Sequence, residues 1–214
     1  MKVLQSAEEV VSHIKDHTRI LLGGFLAVGT AESFIDAALK SHISNLEVAV
    51  CDTAFPDKGV GKLIKARKVK KLFSSHIGTN LETGKQFNEG SLEIEFIPQG
   101  SLVERIRAAG AGLGAVITPV GLNTDAAAGK ETITINDKQY LIELPLRGDV
   151  AWIKAHKADS YGNLVYYRAA RNFNPVMATA ADLVFVEVDE LVDELDPEVI
   201  VTPGVLVDYV VCTS

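Results

Sequence analysis

The chain has 214 residues, 47% of them hydrophobic and 23% charged, with a formal net charge of −7; this is enough apolar material for one well-packed domain over residues 1–214. The acidic balance and the scattering of Lys and Arg exclude a nucleic-acid surface, and the local cluster Lys62, Lys65, Arg67, Lys68, Lys70 and Lys71 reads as a solvated helix and strand start. Cys51 and Cys212 stand far apart and out of metal-ligand spacing with the five histidines, so no metal site is expected and the chain reads as cytoplasmic.

Met1-Lys2-Val3-Leu4-Gln5-Ser6 meets Glu8 and Glu9 before a signal-peptide core can form. The small-residue tract over 108–128 is broken by glycines, Pro119, Asn123 and Asp125. Neither export nor a membrane span is expected. Ser6 with Glu9 predicts a capping box opening a helix that ends near Lys15. Strands over 20–22, 46–50, 69–73, 92–97 and 115–117 then alternate with helices near 32–40, 60–66 and 102–109. That alternation predicts a parallel sheet. Segments 132–135 and 140–144, alternating around Asn136-Asp137-Lys138, read as a β-hairpin excursion. Strands over 150–154, 183–188 and 199–201 return to the sheet, with a helix near 174–180. The fold class is therefore α/β, an open and mainly parallel sheet with flanking helices and a β-hairpin excursion.

The segment Ile20-Leu21-Leu22-Gly23-Gly24-Phe25-Leu26-Ala27-Val28-Gly29-Thr30 is a buried strand running into a glycine loop that opens a helix, with Thr30 as a candidate cap. Gly23, Gly24 and Gly29 let the backbone approach a ligand closely, and N–H groups at such a helix start suit a carboxylate, phosphate or thioester oxygen. The other reading is a tight strand-to-helix turn. Thr30 stands where a phosphate-binding GxxxxGK loop needs lysine, and no GxGxxG fingerprint occurs.

Taken together, Gly23-Gly24-Phe25 with Gly29, Ser75-His76-Ile77-Gly78-Thr79-Asn80, Ile97-Pro98-Gln99-Gly100, Gly110-Ala111-Gly112-Leu113-Gly114, Thr118-Pro119 and Ala170-Arg171-Asn172-Phe173-Asn174-Pro175 form an ordered set. The set resembles the α subunits of family I coenzyme A transferases of the acetate or acetoacetate (3-oxoacid) type, and runs nearly the length of the chain. Two positions depart from that family: Asp16-His17 replaces its usual Asp-Gly, and Ala31 its usual proline.

The resemblance implies transfer of coenzyme A from a short-chain acyl-CoA to a carboxylic acid of the acetate, acetoacetate or butyrate class. It proceeds through a glutamate nucleophile that becomes a glutamyl-CoA thioester. The family's nucleophile lies in a Ser-Glu-Asn-Gly motif on the β subunit, which this chain lacks. A β partner in an α2β2 assembly is thus implied, with CoA as substrate and no tightly bound cofactor. The matching glutamine, Gln99, is implied as an oxyanion donor, and Gly23, Gly24, Phe25, Leu26, Ala27, Val28 and Gly29 as the CoA-binding segment. Alanine at Gly24 or Gly29 is expected to weaken CoA binding more than folding. His76 is left out of catalysis, and Asn80, Arg171 and Asn172 read as turn or subunit-contact residues ahead of the alternative, substrate contact. The competing class is a sugar-phosphate isomerase-like or effector-binding α/β domain, whose glycine loop would hold a phosphate.

Overall fold

A computed structural model describes residues 2–4 and 6–213; Met1 and Gln5 of the N-terminal stretch lie outside the described residues. In chain order the first half runs β1 (Lys2–Leu4), α1 (Ala7–Ser12), β2 (Arg19–Leu22), α2 (Glu32–Lys40), β3 (Leu46–Asp52), α3 (Val60–Lys65), β4 (Val69–His76), α4 (Leu81–Asn88), β5 (Glu93–Phe96) and α5 (Gln99–Gly110). The second half runs β6 (Val116–Thr118), β7 (Thr132–Ile135), β8 (Lys138–Glu143), β9 (Gly148–Ala158), β10 (Leu164–Val165), α6 (Asn174–Met177), β11 (Ala181–Leu191) and β12 (Tyr209–Cys212).

The main sheet has the order β1-β12-β11-β9-β2-β3-β4-β5, with every neighbouring pair parallel and β10 added antiparallel to β9. Apolar alternation splits its strands between two faces. Ile20, Leu22, Val48, Val50, Val150 and Trp152 pack under α1, α2 and α3, whereas Leu21, Ala49, Ala151 and Ile153 pack under α5 and α6. Phe34 of α2 meets the Trp152 ring edge-on at 6.0 Å. The sheet order reverses between β2 and β9, from which the chain builds outward in opposite directions. Ligands of open α/β sheets bind beyond the carboxyl ends of the strands near such a point.

Three local expectations need correcting. Strand β6 does not join the parallel sheet: the chain turns just after α5 with Gly112 at φ 69°, and β6 pairs antiparallel with β8 in a separate sheet of order β6-β8-β7. The expected strand over 199–201 is a 3-10 turn at Pro197–Val199, because Asp196 caps the Glu198 N–H ahead of a proline-started helical turn. Thr30 does not cap α2; its Oγ1 donates to Gly23 O at 3.1 Å, and Ala31 takes the cap position without a side-chain bond.

The β7–β8 hairpin turns through Asn136 and Asp137 at φ 50° and 60°, the conformation expected of a two-residue type I′ turn. Ser6 Oγ accepts the Glu9 N–H, as its spacing predicts. His17 sits at φ 66°, where glycine is the easier residue, and Asp16 anchors this turn by accepting from Ser44 N and Oγ. Ala31 has φ −75°, within the range that proline would impose.

Candidate active site

The carboxyl ends of β2, β3, β4 and β5 open onto a cavity of about 430 Å³ lined by Phe25, Leu26, Cys51, Asp52, Ser75, His76, Thr79 and Gln99. Gln99 is the first residue of α5, directly after Pro98 in the cap position. Its Nε2 donates to Cys51 Sγ at 3.3 Å. Phe25 and Leu26 of the glycine loop close the other side. The structure therefore brings Gln99 together with part of the loop and places His76 at the rim.

The loop itself is built differently from an open anion cradle. Phe25 and Val28 exchange backbone bonds at 3.0 and 2.9 Å, so residues 25–28 form a small closed turn with Leu26 and Ala27 at positive φ. The Gly23 N–H donates to Trp152 O, the Gly24 N–H to Asn172 Oδ1, and the Leu26 N–H to both carboxylate oxygens of Asp52. These donors are satisfied within the chain and do not face outward as expected. Nor is the start of α2 open to an external anion. Glu187 Oε2 accepts from Ser33 N at 2.8 Å and from Ser33 Oγ, supplying the negative charge favoured there.

The glycines are explained by packing. A Cβ at Gly29 would lie 2.3 Å from Ala170 O, and one at Gly23 would lie 1.8 Å from Asn174 Oδ1. Asn172 and Asn174 hold the same turn, donating to Val28 O and Gly29 O at 2.9 Å each. The Arg171-Asn172-Phe173-Asn174 motif thus braces the loop. Gly29 itself belongs to a neighbouring hollow with Lys154, His156, Tyr167 and Asp189, apart from Gln99. What residues 23–29 offer outward is an apolar tip, with Phe25 and Val28 exposed.

Residues 54–59 repeat this form one strand over. Phe55 bridges Lys58 as Phe25 bridges Val28, and a Cβ at Gly59 would touch Ala27 Cβ at 3.3 Å. Only a phenylalanine and a glycine are common to the two loops, too little to register as a sequence repeat. Asn80 is buried and structural: it caps α4 through Glu82 N and donates to Thr53 O.

Cys51 and Asp52 line the cavity without having been read as site residues, and Ser75 and Thr79 line it from a motif that was given no role of its own. The available signal is positional, since Cys51 and Asp52 end a parallel strand. Burial, followed by the nearby Asp52 charge, pushes the Cys51 thiol up from 9.0 to about 11. Among the described residues no cluster of three His, Cys, Asp or Glu could hold a metal, and no helix is long and apolar enough to cross a membrane. The basic cluster is largely engaged: Lys62 pairs with Glu32 and Asp36, Arg67 with Glu89, and Lys71 with Glu93, while Lys68 donates to Ser41 O and Ile43 O.

Residues 4–213 match the family described as Coenzyme A transferase. The chain is 45% identical over 213 residues to the alpha subunit of acetate CoA-transferase of Escherichia coli (strain K12), covering 99% of this chain and 97% of that one. It is 48% identical over 206 residues to the acetoacetyl-CoA:acetate/butyrate CoA transferase alpha subunit of Clostridium acetobutylicum, covering 95% and 94%. The fold matches that of the acyl-CoA transferase YdiF of E. coli O157:H7, solved as a thioester complex with CoA, at TM-score 0.87 and 24% identity. That match covers 99% of this chain and 49% of YdiF, so the chain spans about half the length of that protein and nearly all of the two alpha subunits. The chain belongs to the coenzyme A transferase family, as one of its α-type subunits.

Proposed function

We propose that this chain is the α subunit of an α2β2 enzyme moving CoA between a short-chain acyl-CoA and a carboxylic acid of the acetate, acetoacetate or butyrate class. It works in the cytoplasm as one domain over residues 1–214, with CoA as substrate, no tightly bound cofactor, and neither nucleic acid nor membrane as partner. The observation that carries this reading is Gln99 Nε2, held at 3.3 Å from Cys51 Sγ in a cavity shared with Phe25 and Leu26.

A carboxylate oxygen of the β partner bonds to the thioester carbonyl carbon, and the C=O π electron pair moves onto the carbonyl oxygen. Gln99 donates an N–H to that oxygen without competing as a nucleophile. The C–S bond then breaks, giving an acyl anhydride and the CoA thiolate. Attack of the thiolate on the glutamyl carbonyl releases the first carboxylic acid as its anion and leaves a glutamyl-CoA thioester, which a second carboxylate reopens by the reverse steps. The apolar tip of residues 25–28 contacts CoA through side chains, because the N–H groups of Phe25, Leu26 and Val28 are engaged within the chain. A phosphate-holding isomerase-like role is disfavoured by Glu187, whose carboxylate occupies the start of α2.

The test is reconstitution. The isolated chain should show no acyl transfer, and adding the β partner should give ping-pong turnover. Borohydride after acyl-CoA should modify a glutamate of the partner. Turnover by the isolated chain, or a label on it, would overturn the proposal.

A further inference from the structure

We infer that Cys51 is the positioning residue for Gln99: its sulfur takes one N–H of the Gln99 amide and leaves the second directed into the cavity. The inference rests on Gln99 being the oxyanion donor and goes beyond it by naming what orients that donor.

A glutamine amide carries two N–H groups on a side chain of three rotatable bonds. Gln99 is exposed, so packing alone does not choose its rotamer. A donor that must find its orientation during reaction loses the advantage of a prepared one. The bond to Sγ supplies that orientation. Both of its ends are fixed. Gln99 is anchored at the first position of α5, and Cys51 is only 2% exposed at the end of β3. The Cys51 carbonyl is held in turn by two hydroxyls of β4, Ser74 Oγ at 3.2 Å and Ser75 Oγ at 2.6 Å.

Asp52, the next residue, performs the same service on the opposite side by accepting from Leu26 N and Ala54 N. Two successive residues of β3 therefore fix the two walls of the cavity. A sulfur is a weak acceptor and draws little on the amide. A thiolate here would attack a thioester, but burial and Asp52 hold the Cys51 thiol at about 11, so it stays protonated near neutral pH.

The experiment uses the assembled complex with its β partner and compares Cys51→Ala, Cys51→Val, Cys51→Ser, Gln99→Ala and the Cys51→Ala/Gln99→Ala double variant. Single-turnover formation of the enzyme–CoA thioester, kcat, KM and the unfolding midpoint are measured for each. Cys51→Ala and Cys51→Val should slow thioester formation by about tenfold with KM changed less than about twofold. Cys51→Ser, which keeps an acceptor, should recover most of that rate. The double variant should be no slower than Gln99→Ala, because an amide already removed cannot be misaimed. Parental rates in folded Cys51→Ala or Cys51→Val overturn the inference, as do losses that multiply in the double variant. A Gln99→Ala rate equal to the parent's would instead remove the donor reading itself.

Discussion

Glu187 of β11 and Lys154 of β9 are directly opposite each other in the sheet register, and their side chains meet at 3.0 Å. The other oxygen of Glu187 holds the Ser33 N–H at the start of α2. One buried carboxylate thus ties the central strands to the helix that follows the glycine loop. Glu187→Ala should cost about 3 kcal/mol, since it uncaps α2 and leaves Lys154 with Asp189 alone. Glu187→Gln, which keeps an acceptor, should cost less. Urea unfolding measures both, and a loss below about 0.5 kcal/mol in the alanine variant would show that the link is not a stabilising one.

The glycine loop should answer to folding first. Gly24 has φ 130° with a Cβ position 2.0 Å from Thr30 Oγ1, and Gly29 has φ 74° with one 2.3 Å from Ala170 O. Gly24→Ala and Gly29→Ala should each lower stability by about 2 kcal/mol or more, reversing the expectation from sequence that binding would suffer most. Binding is better read at the exposed tip. Phe25→Ala and Val28→Ala should change stability by less than about 0.5 kcal/mol. In the complex they should weaken CoA affinity by about three- to tenfold, as isothermal titration would record. Unchanged affinity would remove the tip from the CoA site.

Arg105 fastens α5 to the hairpin sheet. Its guanidinium reaches Glu95 at 2.6 Å and Leu144 O at 2.7 Å, and lies 3.8 Å from Glu143, which Lys130 also pairs at 2.7 Å. Glu143 is buried, so Arg105→Met leaves its charge less compensated and should cost about 3 kcal/mol in thermal or urea unfolding. A variant as stable as the parent would contradict this.

The Cys51 thiol predicts an alkaline dependence of stability. In the unfolded chain it ionises near 9, but burial keeps it protonated in the fold up to about 11. Between those values the unfolded state has released a proton that the folded state retains, so stability falls as pH rises. Relative to Cys51→Ser, the parent should lose additional stability from pH 9 to 11 and show no such excess below 9. Parallel stability curves for the two proteins would contradict the buried thiol.

Helix α2 was legible to the residue because Phe34, Ile35 and Ala38 form an apolar stripe, and the hairpin because Asn136 and Asp137 favour positive φ. Helix α4 was not. Its buried residues are the polar Thr83 and Gln86, while Leu81 is exposed, so its pattern runs against the usual signal. The motif containing Gln99 was visible, but its partner Cys51 lies 48 residues away and is brought to it only by the order β3-β4-β5. The engagement of the loop donors by Asp52, Trp152 and Asn172 is likewise tertiary, and no glycine spacing reports it.

The central claim, that this chain contributes the oxyanion donor to a nucleophile held by its partner, is tested most directly by Gln99→Ala in the assembled complex. Thioester formation and kcat should fall by about 10²–10³, with KM nearly unchanged and the unfolding midpoint kept. A rate within about twofold of the parent, in a complex that still assembles, would contradict it.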